Sequence, residues 1–192
     1  SESPFKLPKA GIKTYFGTFE LIEMITTMGL KLKSLVPRVS MWIHDLSFQN
    51  GQSLGSHKSH KNGTDADIAY TLNDFTGNTH FRDITTNSGQ VRDLNVAAQW
   101  KWFKYTVSTG WVDRIFVDAP IKREMCRYAL NIPGGSKDVW TQETLKKLVH
   151  RYNTGVAVTG HDNHFHLRIA CSEFQERCQN METPPQKPTC VE

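Results

Sequence analysis

Gly55-Ser56-His57-Lys58-Ser59-His60-Lys61-Asn62-Gly63-Thr64-Asp65-Ala66-Asp67 is answered about a hundred residues later by His161-Asp162-Asn163-His164-Phe165-His166. Five of the eight histidines lie in these two pieces. Histidine is the commonest metal ligand and carboxylate the usual oxygen partner, so the two pieces with Asp67 read as a zinc site. On a helix His60 and Asp67 would lie ~10 Å apart along the axis, too far to share one ion, so a loop must fold them together. Gly63 supplies the bend, and Asp65 to Leu72 alternates as a strand that carries Asp67 inward. His164 and His166 fall on another strand, where the two-residue period points both imidazoles to one face and Phe165 to the other. A structural zinc fills four positions with Cys or His, whereas His60, Asp67 and His166 leave the fourth to water, a catalytic arrangement.

The pattern of a histidine, six residues and an aspartate, followed far downstream by His-x-His, resembles the zinc peptidases that group lysostaphin, D-Ala-D-Ala carboxypeptidases and the hedgehog signalling fold. Ser-His-x-Ser-His-x-x-Gly-x-Asp-x-Asp, with Gly-His-Asp-x-His-Phe-His-x-Arg-x-Ala-Cys, is similar to the penicillin-insensitive murein endopeptidases over Trp42 to Cys178. The resemblance implies that His60, Asp67 and His166 bind one Zn2+ per chain, that His164 is the catalytic histidine, and that His57 and His161 line the site. It also implies an α+β fold in which a small, mainly antiparallel sheet carries the zinc on one face and packs helices on the other. The implied activity is hydrolysis of peptide cross-links in peptidoglycan, from D-Ala to meso-diaminopimelate. The alternatives are a D,D-carboxypeptidase or L,D-endopeptidase on the same scaffold, or a zinc-binding module without turnover; His164 beside a complete ligand set favours the enzyme.

Zinc chemistry assigns roles to these residues. A bound zinc activates water and polarises a carbonyl. His164 then takes the water proton or stabilises the oxyanion, with His57 and His161 as the other candidates for proton transfer. Asp65 shares the strand face with Asp67 and is expected to orient a ligand histidine.

The 192 residues, 38% hydrophobic and 22% charged, suit one zinc peptidase domain over 1–192, with an N-terminal arm at 1–17 and an irregular tail at 179–192. A formal charge of +4 spread without a basic run argues against nucleic acid and is compatible with an anionic polymer. No apolar stretch reaches the ~18 residues of a membrane span, and no basic-then-apolar leader opens the chain. The expectation is a periplasmic or secreted protein in its mature form. Four cysteines, Cys126, Cys171, Cys178 and Cys190, lie away from the histidines and favour disulfides in an oxidising compartment. Four cysteines allow three connectivities. The family resemblance implies Cys171 with Cys178, which leaves Cys126 with Cys190.

Elsewhere, Thr18 is placed to cap a helix that Gly29 ends, and Val39 to Asp45 alternates as a strand. His44 on that strand reads as a structural histidine. Asn73 to Gly89 reads as a long loop of the kind that borders binding sites. Apolar positions from Val91 to Ser108 give a helix, Arg114 to Val117 a strand, and Asp118 with Pro120 a helix to about Leu130. A last helix opens at Thr141 and runs to about Tyr152. Propensity alone gives a mixed α/β chain without fixing the direction of the sheet.

Overall fold

Thr18 starts the first long helix as expected: its side chain accepts the Leu21 N–H at 3.2 Å, and α1 runs over Phe19–Leu35. The helix does not stop at Gly29. A Cβ at position 29 would lie 2.5 Å from the Pro4 carbonyl oxygen, so this glycine admits the N-terminal arm against the helix. The helix instead ends ahead of Pro37, with Val36 as its C-cap. In the arm, β1 (Phe5–Lys6) pairs in parallel with β2 (Met41–Trp42). The expected strand to Asp45 is shorter because the chain changes partner after Trp42. Ile43 bridges to Ile68, the His44 N–H donates to the Asp67 carbonyl at 2.9 Å, and the Asp67 N–H donates to the Asp45 carbonyl at 2.9 Å.

The computed structural model describes residues 3–8, 13–52, 59–73, 81–150, 159–176, 178, 180 and 190. Its main sheet has four strands, β3 (Asp65–Ala69), β4 (Val112–Phe116), β5 (Leu148–Val149) and β6 (His164–Ile169), in the order β3-β6-β4-β5. The pairs β3/β6 and β6/β4 are antiparallel, and β4/β5 is parallel. The fold is α+β with a mainly antiparallel sheet.

One face of the sheet, carrying Ala66, Ile68, Ile115, Phe165 and Leu167, is buried in the core. Against it packs α2 (Val96–Ser108), which also contacts α1, α3 (Ala119–Asn131) and α4 (Val139–Lys147). Trp102 and Phe103 set ring edges on Phe165 at 5.4 and 4.9 Å, and the Trp102 indole N–H donates to the Met28 carbonyl at 3.0 Å. The residue between the two strand histidines is therefore the sheet's anchor in the helical layer.

Two helix boundaries differ from the periodicity for tertiary reasons. α2 begins at Val96, where the Asn95 side chain accepts the Ala98 N–H at 3.1 Å; Val91 and Leu94 bridge to Thr85 and Leu72 instead. α4 is capped by Asp138, whose carboxylate accepts the Thr141 N–H at 2.6 Å, and ends at Lys147. Leu148 and Val149 leave it to pair with Ile115 and Phe116, so residues expected on a helix finish the sheet. Segments 74–80 and 151–158, and most of the tail, lie outside the described residues. The disulfides are Cys171–Cys178, closing the loop after β6, and Cys126–Cys190, fastening position 190 to α3.

Candidate metal centre

The register of the sheet builds the site. Asp67 stands opposite His166, His166 opposite Phe116, and Phe116 opposite Val149, one row across all four strands. Alternation puts Asp65, Asp67, His164 and His166 on the face that Phe165 leaves. Phe116 and Val149 form a small apolar cluster of their own on this face, and the Phe116 ring meets His166 edge-on at 5.2 Å.

His60 reaches the row from the turn before β3. Gly63 takes φ +74°, its N–H donates to Ser47 Oγ at 3.1 Å, and its carbonyl accepts the Thr18 N–H at 2.9 Å; a Cβ there would lie 2.9 Å from Thr18 N. The bend therefore needs glycine both for its conformation and for its space. His60 itself has φ +57°, a left-handed conformation that costs a non-glycine residue about 1–3 kcal/mol and persists where the surroundings hold it.

Hydrogen bonds outside the centre fix which ring atoms face it. His60 Nδ1 donates to the Leu46 carbonyl, which leaves the Nε2 lone pair directed at Asp67 Oδ1, 3.2 Å away. His166 Nε2 donates to Asp65 Oδ1 at 2.8 Å, which leaves Nδ1 facing Asp67 Oδ1 at 3.5 Å. Asp67 Oδ1 is buried and receives no hydrogen bond among the described residues. One ligand atom from each of these three buried side chains thus lies within 4.8 Å of the other two. Buried acceptors facing one another are costly unless a cation lies between them, and two imidazoles with one carboxylate is a donor set that zinc takes. The residues fit a metal ion. Asp67 is held well below the ordinary carboxylate range: burial opposes ionisation, but the surrounding His60, His166 and His164 outweigh it. Burial likewise works against Asp65, which is nonetheless held low by His166 and Arg168.

His164 stands next to this group. Its Nδ1 donates to Asn163 Oδ1 at 2.6 Å, and its Nε2 lies 3.6 Å from Asp67 Oδ1. His161 is held by the Thr159 carbonyl on Nδ1 at 3.0 Å, by Asp118 Oδ1 on its backbone N–H at 3.3 Å, and by the Tyr70 hydroxyl on its carbonyl at 3.0 Å. Its ring lies 5.1 Å from that of His164. Burial, then the charges of His164 and His166, push its pKa down to about 4, so at neutral pH it is an uncharged imidazole. His57 lies outside the described residues.

His44 stays apart from the three-residue group, its Nδ1 bound to Asp45 Oδ2 at 2.6 Å, as a structural histidine would be. Sequence reasoning did not single out two aromatic neighbours. Phe116 could have been found from its place opposite His166, had the register been known. Phe81 sits in the loop expected to border the site, with its ring 5.1 Å from His44 and 6.2 Å from His164.

Comparison with known proteins places the chain in a family. Residues 5–192 match the profile of the penicillin-insensitive murein endopeptidase family. Among similar curated proteins, the penicillin-insensitive murein endopeptidase of Escherichia coli strain SE11 is 23% identical over 97% of this chain and 65% of its own length. That of Haemophilus influenzae is 25% identical over 92% of this chain and 59% of its own length. The chain thus spans less than two thirds of the length of these relatives.

Proposed function

The chain belongs to the penicillin-insensitive murein endopeptidase family, and on that premise we propose that it is a zinc-dependent peptidoglycan endopeptidase hydrolysing peptide cross-links, the D-Ala to meso-diaminopimelate bond in particular. The observation that carries this reading is the convergence of His60 Nε2, Asp67 Oδ1 and His166 Nδ1 beside a further histidine, His164, that is turned toward the same point. In this reading His60, Asp67 and His166 hold one zinc ion per chain. Bound there, zinc supplies Lewis acidity toward a carbonyl oxygen and brings the pKa of water toward ~7.

The protein's own groups move the protons and shape the site. His164, with Nδ1–H engaged by Asn163, is set to accept a proton at Nε2. Once protonated it can donate to a developing oxyanion or to the leaving amine. His161, neutral and fixed through three hydrogen bonds, is the second candidate for that transfer. His57, three residues ahead of His60 in the chain, is the third. Phe116 and Val149 give the site an apolar floor beside His166. Two disulfides favour an oxidising compartment, so we place the protein in the periplasm or outside the cell, acting as a single domain over 1–192. Among the described residues, no helix is long and apolar enough to cross a membrane.

Digestion of purified sacculi by the zinc-loaded protein, with mass identification of the fragments, tests this reading. Conversion of cross-linked muropeptide dimers to monomers is the expected result. Release of free D-Ala alone would instead favour the D,D-carboxypeptidase, and cleavage at an L-centre the L,D-endopeptidase. A fully metal-loaded protein that yields no fragment would be a binding module.

A further inference from the structure

Two carboxylates, Asp65 and Asp67, stand two residues apart on one face of β3, both buried, and only one of them faces the metal centre. What separates their roles lies one row down the sheet. Arg168 stands opposite Asp65 on β3 and opposite Arg114 on β4. Its Nη1 donates to both Asp65 oxygens at 3.2 Å, and its Nε lies 3.9 Å from Asp113 Oδ2, which also accepts from Arg114 Nε at 3.1 Å. Asp65 Oδ2 takes one more hydrogen bond, from Thr64 Oγ1 at 3.3 Å, and Oδ1 accepts from His166 Nε2 at 2.8 Å.

We propose that Arg168 is the positioning residue of the metal centre: it commits Asp65 to His166 Nε2 and thereby fixes the His166 tautomer that presents Nδ1 to the ion. The inference rests on the proposed zinc centre and deepens it. A carboxylate turns freely about its last bond unless its oxygens are engaged, and here Arg168 and Thr64 engage both while one oxygen is aimed at the ring. With Nε2 carrying the proton, the ring's lone pair is on Nδ1, the atom facing Asp67. Arg168 also neutralises Asp65, so the negative charge offered to a cation is that of Asp67. Arginine suits the position because one guanidinium reaches two aspartates through different nitrogens, Nη1 to Asp65 and Nε toward Asp113. A lysine ammonium is a single point of charge and cannot span both.

The test measures zinc affinity by competition with a chromogenic chelator and reads the His166 tautomer by 15N NMR on the metal-free protein, at a pH where the ring is neutral. In the unmodified protein His166 is expected to carry its proton on Nε2; a dominant Nδ1–H form overturns the proposal without any substitution. Arg168→Lys, which keeps the charge and the fold, is expected to weaken zinc binding about 10- to 100-fold, the usual effect of losing a group that supports a metal ligand. It should also mix the His166 tautomers. Arg168→Met should weaken binding at least as much. Folded Arg168→Lys protein that binds zinc within twofold of the parent overturns the inference, as does weakened binding with the tautomer unchanged. Zinc binding that ignores Arg168 leaves the metal centre standing, whereas an unmodified protein that binds no zinc overturns both.

Discussion

Replacing His164 by alanine separates catalysis from metal binding. The ring is absent from the three-atom convergence, and its Nε2 is farther from Asp67 Oδ1, at 3.6 Å, than His60 Nε2 is, at 3.2 Å. Its Nδ1 partner is the side chain of its own neighbour Asn163, which is partly open to solvent. Loss of the hydrogen bond to Asn163 should cost the fold about 1 kcal/mol, the net worth of one ordinary hydrogen bond. Turnover should fall about 10²- to 10⁴-fold, the range for losing a general acid-base, which corresponds to about 2.7–5.4 kcal/mol of transition-state stabilisation at about 1.36 kcal/mol per decade. Zinc content, melting temperature and muropeptide turnover measured on one preparation give the three numbers together. A His164→Ala protein that has lost its zinc would make His164 a ligand and refute the reasoning; one that keeps both zinc and full turnover would leave it with neither role.

Phe165→Ala should cost about 3–5 kcal/mol, because the ring is fully buried between Trp102, Phe103 and Tyr70, and at this chain length melting should fall by roughly 2–4 °C per kcal/mol; a shift under 3 °C would contradict that packing. Gly29→Ala should destabilise although alanine is the better helix former by about 1 kcal/mol, since its Cβ would meet the Pro4 carbonyl oxygen; a raised melting temperature would show that the arm does not pack there. Lys122 donates to the Leu148 carbonyl at 2.7 Å, and burial pushes its pKa down to about 8. From pH 8 upward the unfolded chain then holds more protons at this site than the folded one, so stability should rise with pH between about 8 and 9.5, and the buried charge costs about 3 kcal/mol at neutral pH. Lys122→Met should flatten that rise in urea melts at pH 7.5 and 9.5; an unchanged slope would place its origin elsewhere.

How much of this was legible in the sequence depended on how local the cause was. The His-x-His strand and the Asp65/Asp67 alternation follow from a two-residue period and appear in β6 and β3, with Gly63 at positive φ as the bend between His60 and Asp67. Thr18 caps its helix because capping is a contact over three residues. Gly29 was misread because its reason, the Pro4 carbonyl, lies 25 positions away in the chain. Leu148 and Val149 have the spacing of a helix face, but the strand partners that claim them, Ile115 and Phe116, are far off in sequence. The site's polar support was likewise half visible: Asp65 was expected to orient a histidine and does contact His166 Nε2, while the role of Arg168 required the register that sets it between Asp65 and Arg114.

Metal analysis of the purified protein beside its His166→Ala variant decides whether His60, Asp67 and His166 together hold one zinc ion per chain. Close to one zinc per chain is expected in the parent, with a large loss of zinc in the variant at equal free metal. Full zinc occupancy in folded His166→Ala protein would contradict it.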